Sequence, residues 1–421
     1  MKKIIMIMVA ICLVSAMAMA NGKAESGKNT IKILAGQSTT DAGIEDLITQ
    51  AVAAKYPELT LEWECVGWGT DLNAKVQMYM QSGLPDIIVG KVQDVANYGP
   101  QGILADLSKQ AYMSGVLDAA KNGVTIDGKL MGLTYNALYQ GVYYNRELFK
   151  KYGIQVPTTL AELDAIVKKF KSAGIFPFGT HMVDTWSIGN ITMQFAVNEL
   201  FRNVPDWGDQ FRAGKVNFST SPEYKACYEY NKYIYDNTWS SETFSTEQTA
   251  CDARMVRGEA AMKVSGSWSI QNFIDIDPGF DFGVFPFPNR AGDAKLLFEP
   301  NITFMATTGS YADPEKKAAI DKIFEILAND KQLGAAVCDF TKTASMLKDC
   351  SPTFTNPSQS DIDRYSAAGM IQDVNVGNNQ LQWGGFQEEN AKDIAEYVQG
   401  NISLADALAA ADARRAASKS K

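Results

Sequence analysis

The sequence predicts an α/β protein built as two lobes, and three observations predict it. Removal of an N-terminal leader of 20 residues leaves 401 of the 421, more than one hydrophobic core usually supports. Residues 31–90 alternate strand and helix patterns, as a helix-covered parallel sheet requires. Near residue 128 that pattern gives way to short strands and long helical stretches, which marks a crossing into a second lobe.

The leader is Met1-Lys2-Lys3, an apolar run from Ile4 to Val14, and the small-residue stretch Ser15 to Ala20, with cleavage expected after Ala20. It falls short of the roughly 20 apolar residues that span a membrane, and Asn21-Gly22-Lys23 follows at once. Plain cleavage is expected over lipid anchoring at Cys12, because Ile11 is larger than the residue that normally precedes a lipidated cysteine. The expected product is periplasmic or otherwise extracytoplasmic. It is also expected to be a monomer, since no oligomerisation repeat stands out.

Loss of Lys2 and Lys3 lowers the 39 basic residues to 37 against 48 acidic ones, a net charge of −11. Nucleic acid and anionic lipid are therefore disfavoured as partners. Cys65, Cys227, Cys251, Cys338 and Cys350 remain after cleavage. Export permits disulfides, the odd number leaves a thiol over, and Cys338 with Cys350 is the expected pair. With no Cys-x-x-Cys motif and His181 as the only histidine, no metal and no cofactor is expected, and an imidazole mechanism would have to use His181.

Ile31 to Ala35 reads as the first strand, and the turn Gly36 to Asp41 leads to a helix with Ile44, Leu47, Ile48, Ala51 and Val52 on one face. Leu59, Leu61, Trp63 and Cys65 alternate as a second strand, and Asp86 to Gly90 is an apolar run suited to a buried parallel strand. Gly128 to Leu133 and Gly141 to Tyr144 read as strands separated by Thr134 to Gln140, a crossing between lobes. Asn145 can cap a short helix, and Thr159 with Glu162 has the spacing of a capping box. Asp313-Pro314 starts a helix whose face of Ala319, Ile320, Ile323 and Ile326 suits a sheet. The tyrosines between Tyr224 and Tyr235 are assigned to packing, and the tail from Ala407 to a fraying helix.

No Gly-x-Ser-x-Gly elbow, phosphate-binding loop or metal-ligand cluster is present, and with 48 acidic residues a pair of carboxylates suited to glycoside hydrolysis carries no information. Aromatics say more. Trp68, Tyr139, Tyr143, Trp186, Trp268 and Trp383 lie at strand ends or in glycine-containing loops, where sugars can stack their C–H faces on rings. Trp268 follows the alternating stretch Ala260 to Ser265 and is either core filler or a ring that faces ligand. His181, in Gly179-Thr180-His181-Met182, is either an ordinary loop residue or a hydrogen bonder in the cleft.

Several segments in order resemble the extracellular solute-binding proteins of ATP-binding cassette carbohydrate importers, the family 1, maltose-binding-protein-like class. They are Ser82 to Ile88, Gly102 to Leu107, Asp127 to Leu133, Val142 to Phe149, Gly153 with Pro157-Thr158-Thr159, Arg257 to Met262, and Gly266-Ser267-Trp268. The resemblance implies a two-lobed periplasmic-binding-protein-like fold with the ligand cleft between lobes. Residues 21–136 and 301–345 would form the first lobe, and residues 137–300 and 346–421 the second. It implies Gln37, Asp41, Gln93 and Asp94 as cleft residues of the first lobe, Tyr139 on a crossing segment, and Trp268 as the stacking ring with Trp383 opposite. Trp68 and Trp186 complete the expected ligand-binding set. Lys91-Val92-Gln93-Asp94 departs from the usual acid-then-base pair after that strand, which leaves the sugar unspecified. The implied function is capture of a sugar or short oligosaccharide, without catalysis, and its delivery to a membrane permease by lobe closure. An exported carbohydrate-processing enzyme, or a binder of a phosphorylated polyol or peptide, is the alternative.

Overall fold

The structure, a computed structural model, describes residues 29–37, 42–376 and 386–418. The expected leader, Asp41 and Trp383 lie outside these residues. The first strands are β1 (Thr30–Gln37), β2 (Thr60–Gly67) and β3 (Ile87–Gly90), followed by a small ribbon of β4 (Thr125–Ile126) and β5 (Lys129–Leu130). Next come β6 (Leu133–Thr134), β7 (Asn136–Asn145), β8 (Phe176–Phe178), β9 (Ala260–Gly266) and β10 (Phe282–Phe285). β11 (Leu296–Pro300), β12 (Thr303–Ala306), β13 (Ala344–Ser345) and β14 (Ile371–Asp373) complete the set.

These strands make two principal sheets. The first has the order β2-β1-β3-β12-β6, and the second the order β14-β11-β7-β9-β8 with β10 and β13 also paired to β7. β1 runs parallel to both β2 and β3, so the carboxyl ends of all three emerge along one edge. Every residue of β3 is buried, which explains its uninterrupted apolar sequence. Helix Pro314–Asn329 lays the expected face of Ala319, Ile320, Ile323 and Ile326 into this core, and its N-terminus is held by the Asp313 carboxylate. The capping box of Thr159 and Glu162 and the Asn145 cap also form as expected.

The two largest hydrophobic clusters divide as the sheets do. One draws on residues such as Ile33, Leu107, Phe304 and Val337, and the other on Val142, Phe170, Ile191, Trp207 and Val264. Met346 and Leu347, which the expected boundaries assign to the second lobe, pack in the first core because Leu117 and Val116 pair with that stretch. Thr134 to Gln140 does cross between the sheets, from β6 to β7, and from Asn136 onward it is the first half of β7 and not a gap between strands. β11 and β13 both offer edges there, so backbone pairing takes the polar residues into the sheet. The C-terminal helix also packs more firmly than a fraying tail, since the Arg415 guanidinium lies 3.5 Å from the Phe211 ring centre and donates to the Val216 carbonyl at 2.9 Å. Cys338 and Cys350, the expected disulfide, are unbonded thiols: Cys338 is buried in helix Lys331–Thr341, while the Cys350 Sγ is turned to the Lys331 carbonyl at 3.6 Å.

Candidate functional site

In an open parallel sheet, ligands bind beyond the carboxyl ends of the strands. Gln37 ends β1, Trp68 follows β2, and Lys91 to Asp94 follow β3, so one edge of the first sheet gathers most of the expected residues. The Gln37 amide donates to Glu45 at 2.7 Å. Together they line a pocket with Ala35, Trp63, Trp68 and Phe304. A Cβ on Gly36 would stand 2.2 Å from Trp68 Cε3, so only glycine lets that indole lie over the strand end. The Lys91 ammonium sits 5.3 Å from the Trp68 ring centre, a cation–π contact that orients the ring.

Asp94 has a different place from the one expected. Its side chain is 8% exposed and accepts the Lys91 backbone N–H at 2.8 Å, capping helix Val92–Tyr98. Burial raises its pKa to about 6. Its work is to fix the turn that presents Gln93.

In the second sheet, Gln140 pairs with both Gly266 and Leu297, which brings the middle of β7, the end of β9 and the start of β11 to one place. The Tyr139 ring lies 5.6 Å from Phe298, and the Tyr139 N–H donates to Ser267 Oγ at 3.2 Å. Trp268 stands in the short turn Ser267–Ser269 directly after β9, partly exposed. A Cβ on Gly266 would come within 2.1 Å of Trp268 Cζ3, so this indole, like Trp68, rests on a glycine at a strand end. Trp186, in the first turn of helix Thr185–Phe195, meets Trp268 edge to face at 5.9 Å and His181 at 5.0 Å. Tyr143, by contrast, is fully buried and packs on Phe273 and Phe282, which makes it core.

Between the two walls runs a chain of side-chain hydrogen bonds that no motif announces. The Gln93 amide donates to Glu299 at 3.1 Å, and the Gln140 amide donates to the other Glu299 oxygen. Asn190 then donates to Gln140 at 2.8 Å, and Gln194 to Asn190 at 2.9 Å. Glu299 is 7% exposed, and it joins Gln93, in the helix after β3 of the first sheet, to Gln140 in β7 of the second. Amides and a carboxylate set between walls that carry indoles have the chemistry to satisfy hydroxyl groups while rings cover apolar C–H faces. Glu299, Gln140 and Asn190 were missed by sequence reasoning because each is an isolated polar residue inside an apolar element. The one legible signal was Gln140 itself, polar in the middle of a strand run.

Among the described residues no helix is long and apolar enough to cross a membrane. Residues 35–332 match the family model of the bacterial extracellular solute-binding proteins. The chain is 24% identical over 243 residues to the multiple sugar-binding protein of Streptococcus mutans, a match covering 52% of this chain and 56% of the relative. It thus spans little more than half the length of that relative. A second relative, named a probable sugar-binding periplasmic protein in Rhizobium meliloti, is 22% identical over 396 residues, 91% of this chain and 90% of its own. Among solved structures, the solute-binding protein RafE of Streptococcus pneumoniae in complex with raffinose superposes with a TM-score of 0.71 at 16% identity, covering 91% of this chain and 98% of that one. At that identity the likeness concerns the fold. With the family model matched over most of the chain and the two-sheet architecture shared, the protein belongs to the bacterial extracellular solute-binding proteins.

Proposed function

We propose that the protein captures an uncharged sugar or short oligosaccharide outside the cytoplasm and presents it, by closure of its two lobes, to the permease of an ATP-binding cassette importer. The observation that carries the reading is the Gln93–Glu299–Gln140 chain between sheets, flanked by Trp68 on one side and Trp186 with Trp268 on the other. Gln37, Trp68, Gln93, Tyr139, Trp186 and Trp268 are the proposed ligand contacts, with Asp41 and Trp383 joining them from segments outside the described residues. Asp94 supports the Gln93 turn. The relative named as sugar-binding and the raffinose-bound neighbour support the ligand class. The protein works as a monomer and returns its ligand chemically unchanged.

The test is a thermal-shift screen followed by calorimetry with raffinose, stachyose and chitobiose, and with a sugar phosphate and a short peptide as controls. A ligand at about 100 times its dissociation constant stabilises the native state by roughly 2.7 kcal/mol, a readily measured shift. Binding of an uncharged saccharide, recovered intact after long incubation, is expected. Cleavage products would favour the carbohydrate-processing enzyme, and stabilisation by the phosphate or peptide alone would favour another solute class.

A further inference from the structure

The single histidine of the chain is buried where a buried histidine is costly. His181 is 2% exposed, and among the described residues neither ring nitrogen has a hydrogen-bond partner. Its backbone surroundings are firmly built: the His181 carbonyl accepts from Ser187 Oγ at 2.6 Å, the Met182 N–H donates to the Thr243 carbonyl at 2.7 Å, and Thr243 Oγ1 donates to the Thr180 carbonyl at 2.7 Å. The ring is held in place while its own polar atoms are left unused. Its ring contact is Trp186, which in turn meets Trp268, whose indole Nε1 is likewise buried without a partner. Buried polar groups are nearly always paired, so two unpaired ones in a single row of three rings at a cleft wall call for a ligand.

We propose that His181 and the Trp268 indole N–H, on either side of Trp186, form a hydrogen-bonding subsite for uncharged hydroxyl groups of the bound ligand. This rests on the sugar-capture reading and goes beyond it, by assigning a residue and by excluding anionic sugars from this wall. A hydroxyl both donates and accepts, as does an uncharged imidazole, and the indole adds one further donor. The charged groups around the ring do not offer a cation. Lys263 is fully buried and engaged with Asp252, which also accepts from Asn272 at 2.9 Å, and Asp184, half exposed, lies 3.8 Å from Nε2, beyond hydrogen-bond reach. A carboxylate or phosphate placed here would meet Asp184 and no free positive charge.

Nitrogen-15 magnetic resonance of the full chain tests this directly, because one histidine gives one set of ring signals. Raffinose, stachyose and chitobiose serve as uncharged probes, and a glucuronic-acid disaccharide and a sugar phosphate as charged ones. With an uncharged probe that binds, a His181 ring nitrogen and the Trp268 indole signal both shift at saturation. His181→Phe weakens that probe at least tenfold at an unchanged melting temperature of the unliganded chain, and His181→Asn recovers part of the loss. Ring and indole signals unmoved at saturation, or His181→Phe binding as tightly as the parent, would overturn the subsite and leave sugar capture standing. Tighter binding of the charged probes overturns the assignment to an uncharged hydroxyl. Failure of every saccharide to bind the parent overturns sugar capture and the subsite together.

Discussion

Trp68 and Trp268 illustrate at the residue scale how a small side chain sets the position of a large one. Each indole lies over a glycine, Gly36 or Gly266, at a distance no Cβ tolerates, and each is thereby kept at a strand end. Trp268→Ala is expected to lower sugar affinity by on the order of 1–3 kcal/mol, the range for burying a large apolar side chain. The unliganded melting temperature should change little, because no sealed core cavity opens. A sharp loss of stability with affinity retained, read by calorimetry beside thermal melts, would make Trp268 core. His181 provides a pH prediction. Burial, assisted by the nearby Lys263 charge, pushes its pKa from 6.5 down to about 2. A depressed folded-state value means that His181 contributes stability above pH 6.5 and loses it as pH falls through that range toward 2, at up to about 1.4 kcal/mol per pH unit. His181→Gln should therefore gain on the parent as pH is lowered from 7.5 to 4.5 in urea melts, and a difference that stays constant across that range would contradict the burial argument. The ring positions were legible in the sequence, since Gly-Ser-Trp after an alternating run marks a strand end. Glu299 was not: its meaning comes from Gln93 and Gln140, 206 and 159 residues away, and no local pattern carries such a pairing.

At the element scale the crossing between lobes depends on Asn136, the first residue of β7. Fully buried, it donates to Thr343 Oγ1 at 2.9 Å and accepts the Ile302 N–H at 3.0 Å through its side chain, and its carbonyl accepts the Asn301 N–H at 2.9 Å. One residue thus ties the β6–β7 crossing to the β11–β12 connection and to the segment that leads into β13. Asn136→Ala strands the buried Ile302 N–H, while Thr343 Oγ1 keeps its bond to Thr341 Oγ1 at 2.7 Å, and is expected to cost about 2 kcal/mol, read from urea melts. A loss under about 0.5 kcal/mol, the range for surface changes, would mean that the passages are held by backbone pairing alone. Helix faces and caps were legible here, because Thr159 with Glu162 and Asp313 with Pro314 act within four residues. The start of β7 was not. Tyr139 and its neighbours become strand only because β11 and β13, more than 150 residues later, supply the partners.

For the whole molecule, two separately packed cores meet along a polar seam, an arrangement that permits rotation of one against the other without opening either. The two-lobe division was legible from length and from the change in pattern near residue 128, while the seam was not, since it is made of amides scattered through apolar elements. A sugar that touches both walls binds the closed arrangement better than the open one, and only that difference in affinity can shift the population. Glu299→Gln keeps the shape of the seam but removes its charge-assisted bonds to Gln93 and Gln140, so it is expected to weaken sugar binding with little effect on the fold. Small-angle scattering of the full chain, with and without the best-binding uncharged saccharide, is the most direct test of capture by closure. The account predicts a smaller radius of gyration at saturating ligand, and a value unchanged under those conditions would contradict it.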